Sequence, residues 1–306
     1  MGSKTLSVVG ALFAGMATAW CQTTDTSGVP VRTVVTVEGK GVSASAPLSR
    51  EDVVVWQGKD RRPVTRWTAF QGDHAGLQLW LLIDDSLNSN FGTQFGDLRT
   101  FINGLPASAQ LGVGYIRNGT VEAVGPMGAD HARAAKAIRL PEGIGGGSAS
   151  PYISLRELIK KWPETQDRRE VLMITPGIDF YYGPGPEDPY LLSAISEAQR
   201  AGVIVSSIYY GAFGHLGHDM WQINWGQNDL AELCDATGGE AYWQGFINPV
   251  SLAPFLDDFT QRLANQYELT FLAKPDKKGG LEKIRVTTEV PRVSIVTESR
   301  VYVPGD

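Results

Sequence analysis

With 306 residues, 42% of them hydrophobic and 20% charged, the chain carries enough apolar material for one large domain plus a smaller one. Its 27 Lys and Arg stand against 33 Asp and Glu, a formal charge of -6. That balance excludes nucleic acid or an anionic membrane surface as the main partner.

At the amino end Lys4 precedes the apolar stretch Leu6 to Trp20, with small Ala17 and Ala19 near its end. This is the pattern of a secretory signal peptide over residues 1–21, too short for a membrane anchor, so the mature chain is expected outside the cytoplasm, periplasmic or extracellular, with no membrane span. Trp20 is too bulky for the small residue that precedes a lipidated cysteine. Without Cys21 the single Cys234 cannot form an internal disulfide, and it reads as a buried structural thiol.

Residues 31–70 read as a β segment. Val31 to Val37 is rich in β-branched residues, Ser49 can cap a short turn before a strand that ends at Gly58-Lys59, and Pro63 to Phe70 is a further strand. From Leu77 the pattern changes. Leu79–Ile83 is an apolar run of strand length, Thr93–Leu105 places Phe95, Leu98, Phe101 and Ile102 at helical spacing, and Gln110–Arg117 is again a strand. Asp130–Leu140 reads as a helix, and the Gly143–Gly147 loop leads into a helix over Tyr152–Trp162. Arg169–Thr175 is a strand followed by a long Gly-, Pro- and Tyr-rich loop, Asp179 to Pro189. Leu191–Ala201 is a helix closed by Gly202, Val203–Tyr210 a strand, and a glycine-rich loop with His215, His218, Trp221 and Trp225 comes next. Asp229–Ala236 is a helix, Glu240–Trp243 a short strand and Pro254–Tyr267 an amphipathic helix. The alternation over residues 77–266 is that of an α/β, Rossmann-like, doubly wound and mostly parallel sheet. Tyr267–Ala273, Leu281–Glu289 and Val293–Val303 are strands, so residues 267–303 are expected to pair with the N-terminal segment as a small β domain.

Ligands of open α/β sheets bind beyond the carboxyl ends of the strands. Asp84, Ser86 and Asn88 follow the Leu79–Ile83 run there, and their oxygens at alternate positions suit a hard cation such as Mg²⁺. The same residue types also cap helices and turn the chain, and the spacing leaves both roles open. His215 and His218 have H-x-x-H spacing but no third ligand at hand. The Gly143–Gly147 run lacks the G-K-[ST] ending of a phosphate loop, and no G-x-S-x-G is present. Tyr181, Tyr182, Tyr190, Trp221 and Trp225 fall in or beside the two long loops, either as a partner-binding surface or as the loops' own small cores.

The order of several stretches resembles bacterial exported von Willebrand factor type A (VWFA)-related proteins. These are Leu48–Lys59, Leu81-Leu82-Ile83-Asp84-Asp85-Ser86, Ala236-Thr237-Gly238-Gly239, and Tyr267–Phe271 with Ile284-Arg285-Val286. The resemblance implies a VWFA-like fold that binds protein ligands through a metal-ion-dependent adhesion site (MIDAS) built from three loops. In the first loop Asp84 and Ser86 match D-x-S-x-S and Asn88 replaces its last serine. The second loop offers Ser148 or Ser150 where the family has threonine. In the third, Pro176 stands where T-D-G has its aspartate, leaving Asp179 as a substitute carboxylate. The adhesion site is therefore expected to be degenerate, with no cofactor expected and a divalent cation as the alternative. The functional expectation is an exported, non-enzymatic protein-binding module acting at the top of the sheet. A structural cell-envelope component with a vestigial cation site is the alternative, and a hydrolase the third reading.

Overall fold

The computed structural model describes residues 28–39, 48–143, 149–183, 185, 187–211, 219–242 and 245–305. The signal stretch, Ser148, His215 and His218 lie outside them. The first strands are β1 (Val29–Gly39), β2 (Val53–Gln57), β3 (Asp60–Arg62) and β4 (Val64–Ala69). Ser49 and Asp52 form a capping box before β2, and Gly58, at φ +60°, turns β2 into β3.

Then come β5 (Leu77–Asp84), α1 (Phe95–Gly104), β6 (Ala109–Arg117), β7 (Thr120–Ala123), α2 (His131–Ala137) and α3 (Pro151–Lys161). They are followed by β8 (Arg168–Thr175), α4 (Pro189–Ala201), β9 (Val203–Tyr209), α5 (Met220–Thr237), β10 (Ala241–Tyr242) and α6 (Ala253–Ala264). The tail is β11 (Gln266–Ala273), β12 (Gly280–Thr288), β13 (Val293–Val296) and β14 (Arg300–Val303).

The central sheet has the order β10-β9-β8-β5-β6-β7, parallel except for β7. Alternation along β5 divides its side chains between two cores. Leu79, Leu81 and Ile83 pack with Leu98, Phe101, Ile102, Leu256 and Phe259 of α1 and α6. Leu82 and Trp80 face the other way, onto Tyr152, Leu155, Ile159, Leu191, Ala194 and Leu233 of α3, α4 and α5. Each fully buried aliphatic side chain contributes about 1.5–3 kcal/mol here, which makes β5 a fixed platform for the loop that leaves it. The Trp80 indole lies over Gly112, where a Cβ would strike the ring.

Strands from both ends of the chain interleave. One four-stranded sheet runs β13-β1-β11-β4 and another β14-β12-β2-β3. They pack across a shared core of Val31, Val35, Val53, Val55, Leu269, Phe271, Ile284, Val286, Val301 and Val303. Polar groups stitch them to the α/β body: Arg168 donates to Leu263 O and to Gln266 Oε1, and Gln266 donates to Glu170 at 2.6 Å. Within the terminal segments, Thr33 donates to buried Glu298 at 2.7 Å. Among the described residues no helix is long and apolar enough to cross a membrane.

Four elements depart from the sequence reading. The α5 helix begins at Met220, so Trp221 and Trp225 sit on its first turns rather than in a loop, started by an Asp219 cap that accepts from the Trp221 and Gln222 amides. A β6–β7 hairpin turns at Asn118-Gly119, both left-handed at φ 51° and 70°. The expected strand Val293–Val303 divides into β13 and β14, which join different sheets. Tyr267 belongs to β11 instead of the preceding helix, and it stacks on Trp67 with ring centroids 4.6 Å apart.

Candidate functional site

The carboxyl end of β5 delivers Asp84 into the body of the protein. Its Oδ1 accepts from the Ser86 amide at 2.9 Å and its Oδ2 accepts from the Thr175 hydroxyl at the end of β8, at 2.7 Å. Burial pushes this carboxyl above the usual aspartate range, and the Thr175 and Ser86 hydrogen bonds only partly oppose that. Ser86 Oγ is buried and makes no hydrogen bond of regular geometry. Asp84, Ser86 and Ser150 share one cavity of about 10 Å³ with Arg117, Ile178 and Phe180, a space the size of one water.

Of the other described candidates, Asn88 and Asp179 do not line that cavity, and Ser150, which does, is engaged elsewhere. Asn88 caps the 3-10 turn Ser89–Gln94 by accepting from the Asn90 amide, and its Nδ2 is 3.4 Å from Gly211 O. Ser150 caps α3 through the Ile153 amide while donating to Asp179 Oδ2 at 2.6 Å. The other Asp179 oxygen accepts from the Tyr181 and Tyr182 amides, both at 2.8 Å. Asp179 thus organises the loop after β8. Ser148 is outside the described residues.

Asp85, the neighbour of Asp84, points away from the cavity. It takes a bidentate pair from Arg139 at 2.7 and 3.0 Å and a third contact from Arg117 at 3.0 Å. The Asp85 hydrogen bond is the main cause that raises the Arg139 pKa. Both arginines also meet Glu142. Arg139 stacks 3.7 Å from the Tyr115 ring centre, and Tyr115 hydrogen-bonds the Arg139 backbone through both its O–H and its oxygen lone pair.

Pro176 and Gly177 occupy the third loop. Gly177 adopts φ +67°, its carbonyl accepts from Tyr152 Oη at 2.7 Å, and its amide donates to Thr175 Oγ1 at 3.1 Å. The loop lies against α5 at Gly226, where a Cβ would overlap the Pro176 carbonyl oxygen. A Mg²⁺ ion asks for six oxygens in octahedral order. The cavity offers one carboxyl group whose two oxygens are already in use, the unused Ser86 hydroxyl, and Ser150, which is committed to Asp179. Among the described residues no group of three or more His, Cys, Asp or Glu is arranged to hold a metal. As it stands, this donor set does not fit a divalent cation.

Around the cavity, the loop after β8, the first turn of α5 and the loop after β10 carry exposed apolar side chains. Tyr181 and Tyr182 are 51% and 54% exposed, each near the Tyr190 ring. Trp221 is 69% exposed beside Trp225, and Met220 is exposed on the same helix turn. Phe246, Ile247 and Val250, after β10, are exposed as well. Sequence reasoning passed over these three, although Phe246-Ile247 follows a Gly and precedes Asn-Pro, a turn setting in which bulky apolar residues have little core to reach. Asn248 accepts from the Gly211 amide, and Gln94 Nε2 lies 3.4 and 3.3 Å from Pro249 O and Val250 O, which ties these loops together.

No family model matches the sequence, and no curated protein does. Solved structures do. Proximal thread matrix protein 1 from the mussel byssus is similar over 63% of this chain, at 15% identity and a TM-score of 0.45. The SpRpn10 VWA domain is similar over 60% of this chain and 93% of its own, at 13% identity and a TM-score of 0.38. A human COPII-coat protein is similar over 76% of this chain, at 9% identity and a TM-score of 0.44. The chain spans only 46% and 44% of the mussel and COPII proteins.

Proposed function

We propose that the chain is an exported, non-enzymatic protein-binding module that engages its partner at the carboxyl end of the parallel sheet, without a divalent cation. The observation that carries this reading is the set of exposed aromatic and aliphatic side chains on the loop after β8 (Tyr181 and Tyr182), the first turn of α5 (Met220 and Trp221) and the loop after β10 (Phe246 and Ile247). Aromatic residues at such positions are the usual anchors of protein interfaces, and hydrogen bonds between the loops reduce the entropy lost on docking. The interleaved N- and C-terminal strands would then act as a small β domain that carries the module. A second reading, a structural envelope component with a vestigial cation site, is favoured by the Thr175 hydroxyl that closes off Asp84.

Two measurements test this. In calorimetric titration with Mg²⁺, Mn²⁺ and Ca²⁺, the expected result is no saturable heat; saturable heat that disappears in Asp84→Ala would overturn the cation-free reading. A photo-crosslinking side chain placed at Trp221 should capture a defined partner from the envelope fraction, and the Tyr181→Ser, Tyr182→Ser double variant should abolish the capture. Capture only from a probe at Tyr302, on the opposite side, would favour the structural reading.

A further inference from the structure

A second polar feature lies at the other end of the sheet, between its amino-terminal edge and the interleaved strands. A cavity of about 220 Å³ is lined there by Arg32 of β1, Arg168 and Arg169 at the start of β8, and Arg200 at the end of α4, with Asp167 and Glu298. An adjoining cavity of about 400 Å³ shares Arg32 and Asp167 and adds Arg66. Five guanidinium groups on one groove are unexpected in a chain of formal charge -6.

Their neutralisation is incomplete. Arg32 and Arg66 share one carboxylate, Glu268, at 2.6 and 3.1 Å. No ion pair within 4.0 Å among the described residues involves Arg168, Arg169 or Arg200. Arg169 donates to the Ala201 carbonyl and Arg168 to Leu263 O and Gln266, so both are held in place by neutral acceptors. Arg168 Nε is buried with no hydrogen-bond partner. Arg200 rests over the Tyr302 ring at 5.4 Å. Burial lowers the Arg169 pKa first; Glu164 opposes this and Arg32 adds to it, which places two like charges within reach of each other. Burial pushes Glu298 up to about 8, so near pH 7 this carboxyl adds little negative charge.

We propose that this groove is a binding site for a small, multiply charged oxyanion of the phosphate or polycarboxylate class, held by Arg169 and Arg200 with Arg32 at its rim. Arg169, fixed by a neutral acceptor, keeps its remaining N–H donors for such an anion in a set geometry, Arg200 adds an exposed guanidinium over the Tyr302 ring, and Arg presents donors in pairs that match two oxygens at once. The volume admits a small ligand of this kind, and the anion would relieve the repulsion between Arg32 and Arg169. The site is separate from the proposed protein-binding loops, and either can fail without the other.

The test is calorimetric titration of the full chain with inorganic phosphate and with citrate, in a buffer free of both, with acetate as the singly charged comparison. The expected result is saturable heat for phosphate or citrate at a Kd on the order of 1 mM or tighter, and none for acetate. Whichever of the two binds identifies the source of the oxyanion. Arg200→Gln, at an exposed position outside the core, should weaken binding about tenfold or more, as loss of a charge-assisted hydrogen bond does. Arg169→Gln should do the same, and Arg50→Gln, on a remote surface, should not. Absence of saturable heat with both anions, equal heat with acetate, or full binding by a folded Arg200→Gln protein would each overturn the proposal.

Discussion

The Thr175 hydroxyl donates to Asp84 Oδ2 at 2.7 Å and joins the carboxyl ends of β8 and β5 across the top of the sheet. The same oxygen accepts from the Gly177 amide, so one hydroxyl serves a buried carboxyl group and fixes the loop that contains Pro176. Thr175→Val keeps the shape and removes both functions. It should cost about 1–3 kcal/mol in urea unfolding, the usual range for leaving a buried polar group unsatisfied. A loss below a few tenths would mean that the Asp84 carboxyl finds another donor.

Asp85 is nearly inaccessible and answers to both Arg117 and Arg139. Asp85→Ala strands two guanidinium groups that are themselves partly exposed, which tempers the loss. The expected cost is about 2 kcal/mol, below that of a fully buried pair. Chemical denaturation of the variant beside wild type gives the comparison.

The loop after β8 leans on α5 at Gly226, where the Pro176 carbonyl is the nearest group. Gly226→Ala forces a methyl group against the Pro176 carbonyl, and either the helix or the loop has to move. Overpacking of this kind costs about 1–3 kcal/mol. The near-ultraviolet circular dichroism of Trp221 and Trp225 on the same helix should change with it. An unchanged spectrum and midpoint would show that the contact is soft.

Burial raises the carboxyl pKa values of Glu298 and Glu170 to about 8 and about 7, well above the usual glutamate range, and that of Asp229 to about 7, above the usual aspartate range. In each case the folded state binds more protons than the unfolded state between the two values. Stability therefore falls as pH rises through this window, roughly from pH 4 to 8, by up to about 1.4 kcal/mol per pH unit for each group that titrates. Glu298→Gln keeps an acceptor for the Thr33 hydroxyl while removing the titration. It should flatten the upper part of the curve and leave the protein more stable than wild type at pH 8. Parallel curves for the two proteins between pH 6 and 8 would contradict the assignment.

Much of the α/β body is legible in the sequence because its strands are buried on both faces. Leu79–Ile83, Arg169–Thr175 and Val203–Tyr210 are apolar runs of strand length, and Gly202 marks the end of α4 by adopting φ 61°. The first half of α5 is less legible. Polar Gln222, Asn224 and Gln227 and a central Gly226 dilute its periodicity, and only the buried Ile223 and Leu230 reveal the inner face. The Asn118-Gly119 hairpin carries a strong turn signal, but β7 is only four residues long and polar enough to pass as loop. At the site, spacing pointed to Asp84, Ser86 and Asn88, and the family resemblance to Ser148 or Ser150; of these, Asp84, Ser86 and Ser150 line one cavity. It could not indicate that Asp179 would be spent on Ser150, or that Asp85 would find Arg139, because those partners lie 29 and 54 residues away.

Arg32 and Glu268 meet although 236 positions apart in sequence, and the strands that bear them pair from Val29 opposite Ala273 to Thr36 opposite Gln266. The strands β2 and β3 pair locally, but β1, β4 and the other edge of β2 have partners, β11 and β12, that come far later in the chain. Until then they present open edges, the form most ready to associate with other chains. Contacts this distant make folding slow, and they also make it conditional. The strand β11 lies between β1 and β4, so the first sheet cannot close without it.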